Sequence, residues 1–181
     1  MRERLASGNA RFVASVDQDL LSRLLARERT PMFAILACSD SRVDPAKIFS
    51  LSLGNAFIVR NMGNNASDPT ALGSLEYAVS HLEVKALLVL GHTNCGAVAA
   101  SYDADQNPNL KAVMDDIDCA KSKLKSCTSQ ERDMVAEANV RLQMRRLLDA
   151  SPTIRDAVQS GSLELLGAMY QLSSGKVKFI G

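Results

Sequence analysis

The chain alternates short apolar runs with stretches whose apolar positions recur at helical spacing. Four runs have strand length: Met32 to Ala37, Ala56 to Arg60, Ala86 to Leu90 and Leu163 to Tyr170. The first and third are almost continuously apolar, as parallel strands buried on both faces are. Asp68-Pro69 opens a predicted helix reaching about His81, with Asp68 as N-cap and Pro69 at the first helical position. Ala71, Leu72, Leu75, Ala78, Val79 and Leu82 supply its buried face. Further helices are predicted from Asp44-Pro45 to Phe49, from Gly96 to about Ser101, and over Leu110 to Leu124, about Ser129 to Ala150 and Pro152 to Gln159. A turn at Ser173-Ser174-Gly175 returns the chain into a fifth run, Lys176 to Ile180, read as antiparallel to the fourth. Strands alternating with helices indicate an α/β fold: a mainly parallel four-stranded sheet with right-handed crossovers, an antiparallel fifth edge strand and flanking helices.

The first 30 residues stand apart from this alternation. Leu5, Phe12, Val13, Leu20, Leu21, Leu24 and Leu25 recur at helical spacing up to about residue 28, with Ser15 to Asp17 as a candidate break into two helices. Two readings are open: a helix packed on its own domain, or an arm lying on a second subunit. The expected division is an N-terminal helical arm, 1–30, and a single α/β domain, 31–181. Asp103 to Asn109 is the most polar loop, and Asn61 to Asn65 is a loop of residues that tolerate positive φ.

Composition narrows the class of function. With 46% apolar residues and no Trp, a 181-residue chain can build an aliphatic core without disulfide staples. Lys plus Arg number 21 against 20 for Asp plus Glu, which leaves no basic field for nucleic acid. No run approaches the roughly 18 apolar residues of a membrane span, and Met1-Arg2-Glu3-Arg4 lacks the apolar core of a secretory signal. The four cysteines point to a reducing compartment, so a cytoplasmic enzyme acting on a small molecule is the expectation.

The chemistry gathers at two stretches, Ala37-Cys38-Ser39-Asp40-Ser41-Arg42 and Gly91-His92-Thr93-Asn94-Cys95-Gly96, each after its own strand. If those strands are parallel neighbours, Cys38 and His92 meet at the carboxyl edge of the sheet, where open α/β sheets place their ligand sites. Cys95 returns to the same point if a helical turn begins there. Two thiolates and an imidazole are a zinc set, and three protein ligands leave the fourth position open. Asp40 and Arg42 stand two residues apart, so in an extended turn they point the same way, and the Arg fork suits a bidentate pair with a carboxylate. Such a pair would hold Asp40 ionised and aim it at the nucleophile; the plainer alternative is that both residues only brace the loop.

C-x-D-x-R after one strand and H-x-x-C after another resemble the β-class carbonic anhydrases. The likeness continues through Gly54 to Asn61, Gly73 to Ala78 and Gly167 to Tyr170, and covers most of the chain from about Gly8. The resemblance implies a zinc enzyme with Cys38, His92 and Cys95 as metal ligands and Asp40 and Arg42 as catalytic residues. Its reaction would be the reversible hydration of carbon dioxide to bicarbonate and a proton by zinc-bound hydroxide. It also implies a homodimer or higher homo-oligomer with N-terminal arms, a pocket completed by the neighbouring subunit, and Asp40 as a candidate gate that closes on zinc. Two rivals stand beside it: hydrolysis of carbonyl sulfide or carbon disulfide on the same fold, and a non-catalytic zinc-binding assembly protein. The absence of Trp departs from relatives that bind bicarbonate at a separate Trp-containing pocket, and Met62 stands where many members carry Ala.

The remaining candidates have bland alternatives. Phe57, Val59, Tyr77 and Val98 are candidates for an apolar substrate slot. His81 is either a proton shuttle or a histidine favoured by a helix C-terminus. Ser39 and Ser41 lack the G-x-S-x-G elbow of a hydrolase nucleophile. Cys119 and Cys127 read as ordinary thiols, and Gly63, Gly91 and Gly96, which form no nucleotide-binding motif, read as places of close backbone approach around the two loops.

Overall fold

The strand that delivers His92 is the middle of the sheet. In the computed structural model, which describes residues 1–26, 31–103, 107–124 and 131–180, β3 (Ala86–His92) is buried along its whole length. It runs parallel to β1 (Phe33–Cys38) on one side and β4 (Glu164–Tyr170) on the other. β2 (Ala56–Asn61) adds parallel to β1, and β5 (Val177–Ile180) adds antiparallel to β4, giving the order β2-β1-β3-β4-β5. This is the α/β architecture read from the sequence. Three strands outrun their apolar segments, because the ladder continues past the last apolar side chain: Cys38 pairs with Asn61, and His92 with Tyr170.

The two faces of the sheet bury different cores. Ala34, Leu36, Leu87, Val89 and Met169 pack with residues of α4 (Pro69–Ser80) and α7 (Arg132–Ala150), among them Leu75, Val135, Val140 and Leu147. On the opposite face Ile35, Ala37, Leu88, Leu90 and Ala168 gather with Phe49 and Leu51 beside the short α3 (Pro45–Ile48). Phe33, Ile35, Leu51, Leu88, Leu166 and Phe179 line an open apolar groove there.

Local signals set the helix starts. Asp44, Asp68 and Ser151 accept from the backbone N–H of Lys47, Thr70 and Ile154, and each is followed by the proline that opens α3, α4 and α8 (Pro152–Gln159). Two shorter crossover helices are α5 (Gly96–Ala100) and α6 (Lys111–Lys121). The helix expected over Leu110 to Leu124 begins with a 3-10 turn at Pro108–Leu110 and ends at Lys121. The start expected near Ser129, like Cys127, lies outside the described residues.

Contacts divide the chain between Thr30 and Pro31. The first unit holds α1 (Arg2–Ser15) and α2 (Gln18–Leu25), broken where Val16 and Asp17 turn extended and Asp17 caps α2 through the Asp19 N–H. No residue of either helix is buried. Among the described residues, no helix is long and apolar enough to cross a membrane.

Candidate metal centre

β1 and β3 pair in register with Ala37 opposite Leu90, so the loops leaving their carboxyl ends are neighbours. Cys38 ends the first strand and His92 the third. Cys95 comes back to them through a tight turn at Thr93-Asn94, in which Asn94 takes φ 51°. Asn tolerates that left-handed region because its short side chain costs little there. The return is therefore made by a turn before the helix, not by a shared helical face, since α5 begins only at Gly96. The ligand atoms of Cys38, His92 and Cys95 all lie within 4.8 Å of one another, and all three residues are buried.

The imidazole is oriented for ligation. Its Nδ1 lies 2.9 Å from the Thr93 carbonyl. A carbonyl can only accept, so the network assigns the proton to Nδ1 and leaves a lone pair on Nε2. That Nε2 is buried and has no hydrogen-bond partner among the described residues. A buried nitrogen left unpaired costs free energy on the order of 1–3 kcal/mol unless something else satisfies it.

The two sulfurs divide one proton unequally. Cys38 is held down to about 4, first by the Cys95 thiol against it, against the opposing pull of burial, then by the His92 ring and the backbone N–H groups of Asp40 and Gly63. Cys95 is pushed far up by the neighbouring Cys38 sulfur and by burial. Burial pulls His92 down, yet Cys38 and Asp40 outweigh it and raise its affinity for a proton. The trio gathers three soft or borderline donors at one point. Two sulfurs and an imidazole nitrogen converging within 4.8 Å are the donor types that zinc takes, and three protein donors are the number its catalytic sites use, so the residues fit a zinc ion.

Asp40 is the next carboxylate out. Arg42 grips it through Nε to Oδ1 at 2.9 Å and Nη2 to Oδ2 at 2.6 Å. The Arg42 backbone N–H adds a third bond to Oδ1 at 2.9 Å. The two side chains meet because residues 40–43 form a turn closed by Val43 N to Asp40 O, not because the segment is extended. The pair drives Asp40 well below the usual carboxylate range, so it is ionised at every working pH. Its Oδ2 stops 4.0 Å from His92 Nε2, outside the donor trio.

Arg60, Thr93 and Asp133, to which sequence reasoning gave no role, hold these loops together with Arg42 and with Gly91, whose expected close backbone approach is found. Arg60 donates to the carbonyls of Cys38 and Asp40 at 3.0 and 2.7 Å. Arg42 Nη2 also reaches the Asn94 carbonyl at 3.0 Å, and Asp133 of α7 accepts from the Asn94 N–H at 2.7 Å. The Thr93 hydroxyl accepts from Leu172 N at 3.0 Å. Gly91 is required by close approach: a Cβ there would lie 2.5 Å from Val140 Cγ2 on α7 and 2.8 Å from Met169 Sδ. Arg60 sits in a stretch already noted for its resemblance; Asp133, 39 residues beyond Asn94, left no local signal.

The other candidates are not among the three donors. His81 caps the C-terminus of α4, its ring stacked on Tyr77 at 4.8 Å, and it belongs to no donor cluster. Tyr77 also meets Phe57 at 6.3 Å. Val98 is buried, and Phe57 and Val59 pack on the larger core. Cys119 is a partly exposed free thiol.

Comparison with known proteins agrees with this geometry. A family model described as carbonic anhydrase matches residues 33–177. Carbonic anhydrase 2 of Mycobacterium tuberculosis is 35% identical over 182 residues, covering 95% of this chain and 87% of its own. A β-carbonic anhydrase of the fungal pathogen Aspergillus fumigatus superposes with a TM-score of 0.87 at 27% identity, over 98% of this chain and 89% of its own. One of two tetrameric β-carbonic anhydrases of the filamentous ascomycete Sordaria macrospora gives 0.84 at 26% identity, over 99% and 96%.

Proposed function

The chain belongs to the β-class carbonic anhydrase family, and from that premise we propose how its own residues carry out the hydration of carbon dioxide to bicarbonate and a proton. The observation that carries the proposal is the buried Cys38-His92-Cys95 trio with an unpartnered Nε2, faced across 4.0 Å by an ionised Asp40. Cys38, His92 and Cys95 would hold zinc, which when bound lowers the pKa of water from about 15.7 towards about 7 and so supplies hydroxide near neutrality.

Asp40 can only accept hydrogen bonds, because Arg42 keeps it ionised. It therefore holds a water beside the trio with its hydrogen turned to Oδ2 and its lone pair turned to the substrate. Arg42 fixes the carboxylate's angle and, through Asn94, ties it to the loop that carries His92 and Cys95. Engaged by Arg42, Asp40 stands apart from the trio, and zinc held by Cys38, His92 and Cys95 would keep room for water and substrate.

The catalytic unit in this reading is residues 31–181, with 1–30 as an arm for a second copy in a homodimer or larger homo-oligomer. The exposed Leu5, Phe12, Val13 and Leu25 support it. Free thiols at Cys38, Cys95 and Cys119 support a reducing, cytoplasmic setting.

The test is stopped-flow carbon dioxide hydration by zinc-quantified protein at pH 7 and pH 8.5. Fast turnover at both is the expected result. Turnover only at pH 8.5 would show Asp40 closing on the metal. Zinc-loaded protein inactive at both, but turning over carbonyl sulfide or carbon disulfide, would overturn the substrate.

A further inference from the structure

Helix α7 meets the donor loops at three levels. Asp133 in its first turn takes the Asn94 N–H, Ala136 and Val140 press on Gly91, and Asn139 reaches the loop beyond β2. The third contact is made by a buried polar chain. Asn139, Gln143 and Asp116 of α6 are 2%, 0% and 4% exposed. Asn139 and Gln143 stand four residues apart on one face of the helix.

The order of donors in this chain is fixed from one end. The Ala66 N–H can only donate, and it gives to Gln143 Oε1 at 2.8 Å. Gln143 Nε2 must then face outward as a donor, to Asp116 Oδ2 at 3.1 Å and Asn139 Oδ1 at 2.9 Å. With its oxygen taken, Asn139 turns Nδ2 to the Gly63 carbonyl at 2.9 Å. Asp116 is held in turn by Ser67 Oγ at 2.8 Å and by Arg146. No member of the chain has a choice of orientation.

Gly63 needs such a pin. It sits at φ +70°, a region open to glycine, and glycine has more backbone freedom to lose than any other residue. Its loop follows Asn61, which pairs with Cys38 and accepts from the Ser39 N–H at 2.9 Å, and its own N–H is among the groups that hold the Cys38 thiol down. Burying three polar side chains is not an economical way to fill a core, since apolar groups of the same shape are as stable or more so. Their use is directional.

We propose that Asn139, oriented by Gln143, is a positioning residue of the metal centre: it locks Gly63 so that the Gly63 amide stays hydrogen-bonded to the Cys38 sulfur when zinc is bound. The inference rests on the trio holding zinc. Groups behind metal ligands typically change affinity by about 10–100-fold when removed.

The experiment is zinc affinity by chelator competition, at a temperature where each protein is folded, for wild type, Asn139→Leu and the control Leu147→Ala. Leu147 is fully buried on the same helix but outside the polar chain, so it lowers stability without touching Gly63. Asn139→Leu is expected to raise the zinc dissociation constant about tenfold or more, with Leu147→Ala unchanged. A change under fivefold in Asn139→Leu, or an equal loss in Leu147→Ala, overturns the proposal. Should Asn139→Leu not fold, cadmium-113-substituted wild type decides: a scalar coupling from cadmium to the Gly63 amide proton supports it, and its absence overturns it. Wild type that holds no zinc would instead overturn the proposed function.

Discussion

The two loops that supply the metal donors are held by different physics. The Cys38 loop is tied by charge: Arg42 on Asp40, and Arg60 across the carbonyls of Cys38 and Asp40. The His92 loop is tied by shape and neutral hydrogen bonds: Gly91 against Val140 and Met169, and Thr93 against Tyr170 and Leu172. Asp133 and the Arg42 bond to Asn94 bring some charge to that side. Ionic ties at a partly exposed turn weaken in salt and respond to pH, whereas close packing does neither. The difference gives the two loops different sensitivities to salt and acid, while both hold their groups in one arrangement.

The largest break in this comparison is expected at Gly91. Gly91→Ala should destabilise the protein by about 1–3 kcal/mol, measured by urea unfolding, and weaken zinc binding, because Val140 is stiff and fully buried. Adding Val140→Ala should restore much of both; no rescue would mean that Gly91 matters for backbone freedom and not for packing.

On the charged loop, Asp40→Asn should keep zinc but lower turnover by on the order of 10²-fold, since the amide can donate as well as accept. Unchanged turnover would reduce Asp40 to a brace. Arg60→Ala should cost less, about tenfold in kcat/KM, with the loss deepening at high salt as the remaining Arg42 pair is screened.

Acid sharpens the contrast further. The folded-state pKa of Asp40 lies below its unfolded value, so its contribution to stability is present above about pH 4 and is lost as pH falls further. Urea midpoints of metal-free wild type should therefore drop faster below that pH than those of Asp40→Asn. Thr93→Val is the mildest test, removing one neutral bond to Leu172 N for about 1 kcal/mol and leaving the acid slope unaltered.

What the sequence made legible follows the range of each interaction. Strand runs, the cap at Asp68, the proline that opens the helix after Asp44, and the close spacing of His92 and Cys95 are local patterns with local causes. How Cys95 returns was not, because a left-handed Asn94 and a helix start at Gly96 give the same one-dimensional spacing as a helical turn. Asp40 and Arg42 were paired on the right chemistry for the wrong geometry, a turn in place of an extended segment. Asp133, Asn139 and Gln143 were invisible as loop holders. On α7 they read as ordinary polar positions, and their partners lie 39 to 77 residues away.

That spacing orders events in time as the chain leaves the ribosome. Cys38, His92 and Cys95 are all made by residue 95, and β1 and β3 can pair as soon as both have emerged. The helix that pins their loops is complete only at Ala150, and the strand that closes the sheet on β3 only at Tyr170. A nascent chain thus carries a full set of metal-binding groups well before it carries the frame that fixes them. Thiolates that capture a metal at that stage couple its acquisition to folding. An ion bound early would act as a nucleus for the slow, long-range parallel pairing that follows.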